Sequence, residues 1–450
     1  MSGKRKTGPI SGNSGRRAIF SWAMYDWANS AFATTVMAGF FPVFFNEYWS
    51  AGSDTTVTTA RLGLANSLAG IAVALLAPVL GSIADCGSAR KRFLVFFAFM
   101  GALMTSSLWM VSRGDWKTAI FVFVLASIGF SGSIVFNDSL LVSVAGKRQK
   151  EKVSALGYAL GYLGGGLLFA LNIAMTLRPD AFGLAGPEEA VRYSFLTVGV
   201  WWAVFTIPLI LFVREKRTGS AAGIASTVSG GIKELAGTFR MIRRLRTVLL
   251  FLVAYWLYID GVDTIVRMAV DYGMSIGLER NDLITALLVT QFVGFPSAIA
   301  FGRIGARIGA RRAIFIAIGV YLFVTIWAAL MDSREEFYVL AVSVGLVQGG
   351  IQALSRSMFA GIVPEEKAAR YFGFYNMIGK FAAVMGPVLI GTTGLVLRSL
   401  GAGAETATRL GITSVAVLFI GGGILLWFVD EERARKEIID VERGGNTLST

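Results

Sequence analysis

Runs of about twenty apolar residues recur from one end of this chain to the other, and each is long enough to cross a bilayer as a helix. They extend approximately from Ala18 to Phe45, Leu62 to Ala84, Phe93 to Val111, Thr118 to Val142, Val153 to Met175 and Tyr193 to Val213. Six more follow, from Val248 to Val270, Leu283 to Gly302, Ala313 to Met331, Phe337 to Phe359, Tyr371 to Val396 and Leu410 to Val429. In hydrocarbon a segment has to pair its own backbone N–H and C=O groups, so such runs read as helices. With 54% of residues hydrophobic and only 16% charged, no soluble core is large enough to hide this much apolar surface. The expected fold class is all-α integral membrane, with twelve transmembrane helices and the lipid bilayer as solvent.

The net charge of +13 raises nucleic acid as a partner, and the placement of the charges answers it. With the N-terminus inside, basic residues collect in alternate loops. Lys4, Arg5, Lys6, Arg16 and Arg17 precede span one; Arg90, Lys91 and Arg92 follow span two; Lys147, Arg148, Lys150 and Lys152 follow span four. Arg214 to Arg246, then Arg303, Arg307, Arg311 and Arg312, then Lys367 and Arg370, and finally the tail complete the pattern. This is the positive-inside rule. It orients both termini to the cytoplasm, fits a multi-pass protein of the cell (inner) membrane, and scatters the basic residues too widely for nucleic acid. The basic start runs directly into an apolar segment too long for a signal core, which reads as an uncleaved first helix.

The long polar interruption between spans six and seven divides the chain into two six-helix halves. The expected organisation is a basic N-terminus (1–17), an N-terminal bundle (18–213), a cytoplasmic linker (214–247), a C-terminal bundle (248–429) and a cytoplasmic tail (430–450). In the linker Ile232, Leu235, Phe239 and Ile242 share a helical face, with Lys233, Arg240, Arg243 and Arg244 elsewhere. That pattern reads as an amphipathic helix on the cytoplasmic leaflet, against a flexible basic linker.

The halves share short signatures. Trp22, Asp26 and Asn29 of span one return at identical spacing as Trp256, Asp260 and Asp263 of span seven. Gly81, Asp85, Arg90 and Lys91 after span two correspond to Gly302, Ala306, Arg311 and Arg312 after span eight. Both fall at equivalent places in a six-plus-six layout, which suggests a duplicated architecture.

The loop from Gly81 to Arg92 resembles the Gly-x-x-x-Asp…Gly-x-Arg-Arg loop of the major facilitator superfamily. Its second glycine comes one position early, Cys86 fills a place that is usually basic, and the second copy has Ala306 instead of the acid. Tyr25-Asp-Trp-Ala-Asn-Ser-Ala-Phe32, the span-five string from Ser154 to Gly165, and Gly349-Gly-Ile-Gln-Ala-Leu-Ser-Arg-Ser357 narrow the resemblance. Together they are similar to the branch related to the fungal vacuolar amino-acid effluxer involved in autophagy. The resemblance covers about Ala18 to Val429. It implies the major facilitator fold, with spans one, four, seven and ten around a central cavity.

Ionisable and polar residues inside spans need a reason, since a mid-bilayer charge costs at least about 2.5 kcal/mol on insertion scales. Tyr25, Asp26 and Asn29 on span one, Asn137 and Asp138 on span four, and Gln348 and Gln352 on span ten meet that condition. So do Asp260, Asp263 and Arg267 on span seven, at spacings that let all three point one way, and Lys380 on span eleven. These are the expected substrate or coupling residues. Each also has a structural reading, as an ion pair or interhelical hydrogen bond that only holds helices in register. Asp85, Arg90, Lys91 and Arg92 are expected to form a gating latch at the cytoplasmic face, or simply to anchor their loop inside. Gly157, Gly161 and Gly165 form a small-residue stripe for close helix packing.

The chain has no histidine and its one cysteine is Cys86. That removes His-based triads, the usual zinc sites and internal disulfides, and leaves carboxylates, Lys or Tyr for proton chemistry. No Gly-x-Ser-x-Gly string and no phosphate-binding loop is present. The sequence therefore points away from an enzyme, with no catalytic residue, cofactor or metal expected. It points to a secondary transporter, expected to be a monomer, that moves an amino acid or related small solute by alternating access, with Asp26, Asp138 or Asp260 as candidate proton carriers. A proton-coupled exporter of cationic, drug-like compounds and a non-transporting receptor or lipid-handling protein are the alternatives.

Overall fold

A computed structural model describes residues 13–87, 89–146, 149–215, 245–275, 279–331, 333–381 and 385–446. The linker segment carrying Ile232, Leu235, Phe239 and Ile242 lies outside the described residues. Among those that are described the chain is wholly helical. Helix α1 (Asn13–Ala31) continues as π-helical turns over Phe32–Phe40 and Phe45–Trp49. It is followed by α2 (Thr55–Gly87), α3 (Arg90–Ser107), α4 (Trp116–Val144), α5 (Lys150–Leu177) and α6 (Pro187–Phe212). The second half contains α7 (Arg246–Ser275), α8 (Arg280–Ile308), α9 (Ala310–Leu330) and α10 (Arg334–Ile362). The eleventh crossing is described on either side of residues 382–384, as α11a (Ala368–Phe381) and α11b (Met385–Ser399), and the twelfth, α12, joins Ala404–Thr413 to Ala416–Trp427. A tail helix, α13 (Glu431–Asn446), closes the chain.

Eleven of these helices are long and apolar enough to cross a membrane, and α11a with α11b supplies the twelfth crossing. The expected span eleven, Tyr371 to Val396, is helical on both sides of residues 382–384, which lie outside the described residues. Local chemistry sets several ends. Asp115 caps α4 by accepting from the Thr118 N–H at 3.2 Å, and Ser333 with Glu336 forms a reciprocal capping box at the start of α10. Gly309, with φ +90°, takes a positive-φ conformation that favours glycine and turns α8 directly into α9. Leu75, Leu103, Phe121 and Leu395 are each at least 64% exposed, and this apolar exterior is what a lipid-solvated bundle presents.

The helices approach closely where side chains are small. The α5 stripe of Gly157, Gly161 and Gly165 lies against Asp26, Ser30 and Thr34 of α1, one helical turn per step. Two antiparallel contacts join the halves. Gly81 and Ala77 of α2 meet Ala369 and Gly373 of α11a, while Ala155, Tyr162 and Gly166 of α5 meet Gly302, Gly294 and Gln291 of α8. The contacts involving Gly81 and Ala155 lie at the end of the bundle where α1 begins and α13 sits, called the terminal end below. The opposite end is the far end.

Candidate functional site

Near the terminal end, Arg356 of α10 reaches across the interface into the N-terminal half. Its Nη2 donates to Asp26 Oδ2 of α1 at 3.0 Å and its Nη1 to Asp138 Oδ1 of α4 at 3.1 Å. Its Nε donates to Ser154 Oγ of α5 at 2.9 Å, and Nη2 also donates to the Ser154 carbonyl. The second oxygen of each carboxylate is occupied too, by Asn137 Nδ2 on Asp26 at 2.9 Å and by Asn376 Nδ2 of α11a on Asp138 at 3.1 Å. The guanidinium lies 4.3 Å from the Tyr158 ring and 4.9 Å from the Trp22 ring. Such a planar fork fits two carboxylates and two aromatic faces at once, which a Lys ammonium does not. Arg356, Asp26 and Asp138 are all buried, so these charges depend on one another for solvation.

A second layer covers the terminal end. Asp85, at the end of α2, pairs with Arg90 at 2.7 Å and accepts from the Ala369 and Arg370 N–H groups at the start of α11a. A carboxylate at a helix N-terminus is favoured by both the free N–H groups and the helix dipole. Arg90 also donates to the Glu365 carbonyl, and Lys150 of α5 donates to the Ala360 carbonyl near the end of α10. Ser154 Oγ donates to the Ala353 carbonyl. N-terminal-half side chains thus engage the α10–α11a connection from both sides. Glu215 accepts from the Arg90 and Lys91 N–H groups, and Lys91 Nζ reaches the Ile210 and Val213 carbonyls, which ties α3 to α6 within its own half.

The far half of the bundle holds a cavity of about 280 Å³. Its wall is mostly apolar, with Ile265, Val266, Leu283 and Leu340 among the lining residues, and its polar groups are Thr34, Thr264, Thr290, Gln291 and Gln348. Gln291 of α8 donates to Thr34 of α1 at 3.2 Å, so the rim includes one hydrogen bond between the halves.

The sequence-derived candidates divide into groups. Asp26, Asn137 and Asp138 come together, with Asn29 and Tyr25 buried on the adjacent face of α1; Tyr25 Oη accepts from Trp202. Gln348 lines the cavity, while Gln352, one turn on, is half-buried outside its lining. Asp263 is half-buried and acts electrostatically on Tyr158, Tyr162 and Tyr321. The side chains of Arg267 and Lys380 lie outside the described residues. Asp260 lies apart from these groups: its carboxylate accepts from the Met385 and Gly386 N–H groups, each at 3.0 Å, and from Thr264 Oγ1. It caps α11b, as a buried carboxylate at a helix start should. Asp260→Ala is expected to cost about 1–3 kcal/mol by stranding those donors. A melting curve in detergent, with Asp260→Asn retaining most of the stability, checks this. Of the gating group Asp85, Arg90 and Lys91 make the contacts described above, and Arg92 is exposed.

Sequence reasoning missed Arg356 as a site residue. The signal was present, since it is a lone Arg in the uncharged stretch from Tyr338 to Val363. Its partners are 330 and 218 residues away in the chain, and no local spacing reports them.

Solved major facilitator structures share this architecture. The human organic anion transporter MFSD10 matches with a TM-score of 0.69 at 14% identity, covering 92% of this chain and 99% of that one. The transporter FucP in its outward conformation matches with a TM-score of 0.65 at 13% identity, covering 92% and 99%. The chain is thus a multi-pass membrane protein with the fold of the major facilitator superfamily. Within it, a family model described as vacuole effluxer Atg22 like matches residues 52–439, and the chain belongs to that family. The MFS-type transporter YxiO of Bacillus subtilis is 37% identical over 430 residues, spanning 95% of this chain and 97% of the relative. Autophagy-related protein 22 of Yarrowia lipolytica is 24% identical, spanning 79% and 72%.

Proposed function

We propose that this protein is a secondary transporter that carries an amino acid or related small solute through the cavity by alternating access, drawing on an ion gradient. The observation that carries the reading is the asymmetry of the two ends. The terminal end is bridged between halves by Arg356, Asp85 and Lys150, while a cavity remains in the far half. A single rocking motion that breaks the first set and closes the second end would complete a cycle. The terminal end is cytoplasmic by the distribution of basic loops, the protein acts as a monomer in the cell membrane, and protons are the expected driving ion. Asp263, half-buried on α7 and within electrostatic reach of Tyr158 and Tyr162, suits an ammonium group.

The apolar wall of the cavity favours one second reading, an exporter of cationic amphipathic compounds. Purified protein in sealed liposomes, with an imposed pH gradient, separates them. The amino-acid reading expects labelled amino acids to move faster than in empty liposomes and the movement to respond to the gradient. Movement of cationic dyes alone would replace it with the second reading. No movement of either class would overturn both.

A further inference from the structure

Several cations at the terminal end are already committed. Arg90 pairs with Asp85, Lys91 and Lys150 donate to main-chain carbonyls, and Arg311 of α9 donates to the Val429 carbonyl at 2.5 Å. Lys152 of α5 and Arg303 and Arg307 of α8 differ. All three are exposed, and none has a hydrogen bond or ion pair among the described residues. The acids of this end are drawn elsewhere, since Glu431 of α13 lies within electrostatic reach of Glu151, Asp430 and Arg311.

The three free cations meet at the seam where the halves touch. A Cβ on Gly302 of α8 would lie 3.3 Å from the Glu151 carbonyl oxygen and 3.6 Å from the Lys152 Cα, so the two backbones are in contact there. Arg303 is the next residue, and Arg307 follows one turn on. Residues four, seven and eleven apart share a helix face. On α5 that face runs from Lys152 to Leu156 and Leu163, both half-buried. On α8 it runs from Arg303 to Pro296 and Phe292, both exposed. Because α5 starts and α8 finishes at the terminal end, both apolar stripes lead from the cations toward mid-bilayer. The outer side of the seam therefore has a basic head and an apolar body.

We propose that this seam binds an anionic phospholipid, with its phosphate held between Lys152 of one half and Arg303 and Arg307 of the other. Its acyl chains lie along the two apolar stripes. Charge complementarity selects the headgroup, and the apolar body selects a lipid over a soluble phosphate. A phosphatidylcholine headgroup carries its own cation and gains less from three more. The site lies on the outside of the bundle, separate from Arg356 and the cavity, and does not depend on the transport reading.

The test is thermal melting of the purified full chain in a non-ionic detergent, titrated with dioctanoyl phosphatidylglycerol, dioctanoyl phosphatidylcholine or inorganic phosphate. A ligand of the folded state raises the melting temperature with concentration. The proposal expects a rise with phosphatidylglycerol, little with phosphatidylcholine and none with phosphate. The difference between the two lipids should narrow as salt is added, because exposed charges are screened. Lys152→Gln and Arg303→Gln should each raise the phosphatidylglycerol concentration needed by about fivefold, the contribution of one cation near a membrane surface. Lys152→Arg with Arg303→Lys keeps both charges and should keep the response. Arg312→Gln removes an exposed cation of α9 at the same end and should leave the response as in wild type.

A response as large in the Lys152→Gln, Arg303→Gln double variant as in wild type overturns the proposal. So does an equal loss in Arg312→Gln, which would reduce the effect to general surface charge. An equal rise with inorganic phosphate would assign the three cations to a soluble anion, and no rise with phosphatidylglycerol would leave the seam without a lipid of this class.

Discussion

Arg356→Gln should leave Asp26 and Asp138 buried without a countercharge and should lower stability by about 3–5 kcal/mol, the range for breaking one side of a buried ion pair. Few single changes in this chain are expected to cost more. Gln can replace some of the hydrogen bonds but neither the charge nor the stacking between Trp22 and Tyr158. Melting of the purified variant in detergent measures the loss. Arg356→Lys should fall between wild type and Gln, because an ammonium keeps the charge and gives up the fork. A further variant separates folding from gating. Adding Asp26→Asn and Asp138→Asn to Arg356→Gln removes all three charges, and it should recover much of the stability while leaving the terminal end without its lock. If the triple variant is as unstable as Arg356→Gln, the cost does not come from unpaired charge.

Gly157→Ala is the second large expected effect, and it comes from a single methyl group. The new Cβ would sit 2.2 Å from Asp26 Oδ2, 2.9 Å from Arg356 Nη2 and 3.2 Å from the Trp22 ring. The helix itself prefers Ala, so intrinsic propensity argues for stabilisation. Overpacking of a filled site, at about 1–3 kcal/mol, outweighs that preference. The substitution should also push α5 from α1 and loosen the ion pair between the halves. Gly70→Ala provides the control, because a Cβ there meets nothing within 4 Å. It should be neutral or slightly stabilising. Comparable melting temperatures for the two variants would show that the Gly157 contact relaxes without cost.

The membrane class, the crossings and the division into halves were legible because each depends on local composition. A run such as Phe93 to Val111 is apolar enough to choose lipid whatever its neighbours do. Asp26 and Asp138 stood out for the related reason that an acid in such a run has to find a partner. The glycines at 157, 161 and 165 announced a close helix contact through spacing alone, and α1 fills it.

The partners were another matter. Nothing near Arg356 in the chain says that it meets α1 and α4, and nothing near Asp260 says that it holds the start of α11b. Asp26 and Asp260 occupy matching places in the two halves, yet one pairs with an arginine across the interface and the other caps a helix within its own half. A repeated sequence places both carboxylates at the same spacing from a tryptophan in their first helices. What each one does depends on the group that the folded chain brings within 3 Å, and that is decided by helix packing over hundreds of residues. Sequence alone determined that this protein lives in a membrane, how it is divided, and which buried charges need an explanation. Tertiary structure alone decided which of those charges bind the halves together, because the ion pairs form between helices whose separation in sequence carries no record of their contact.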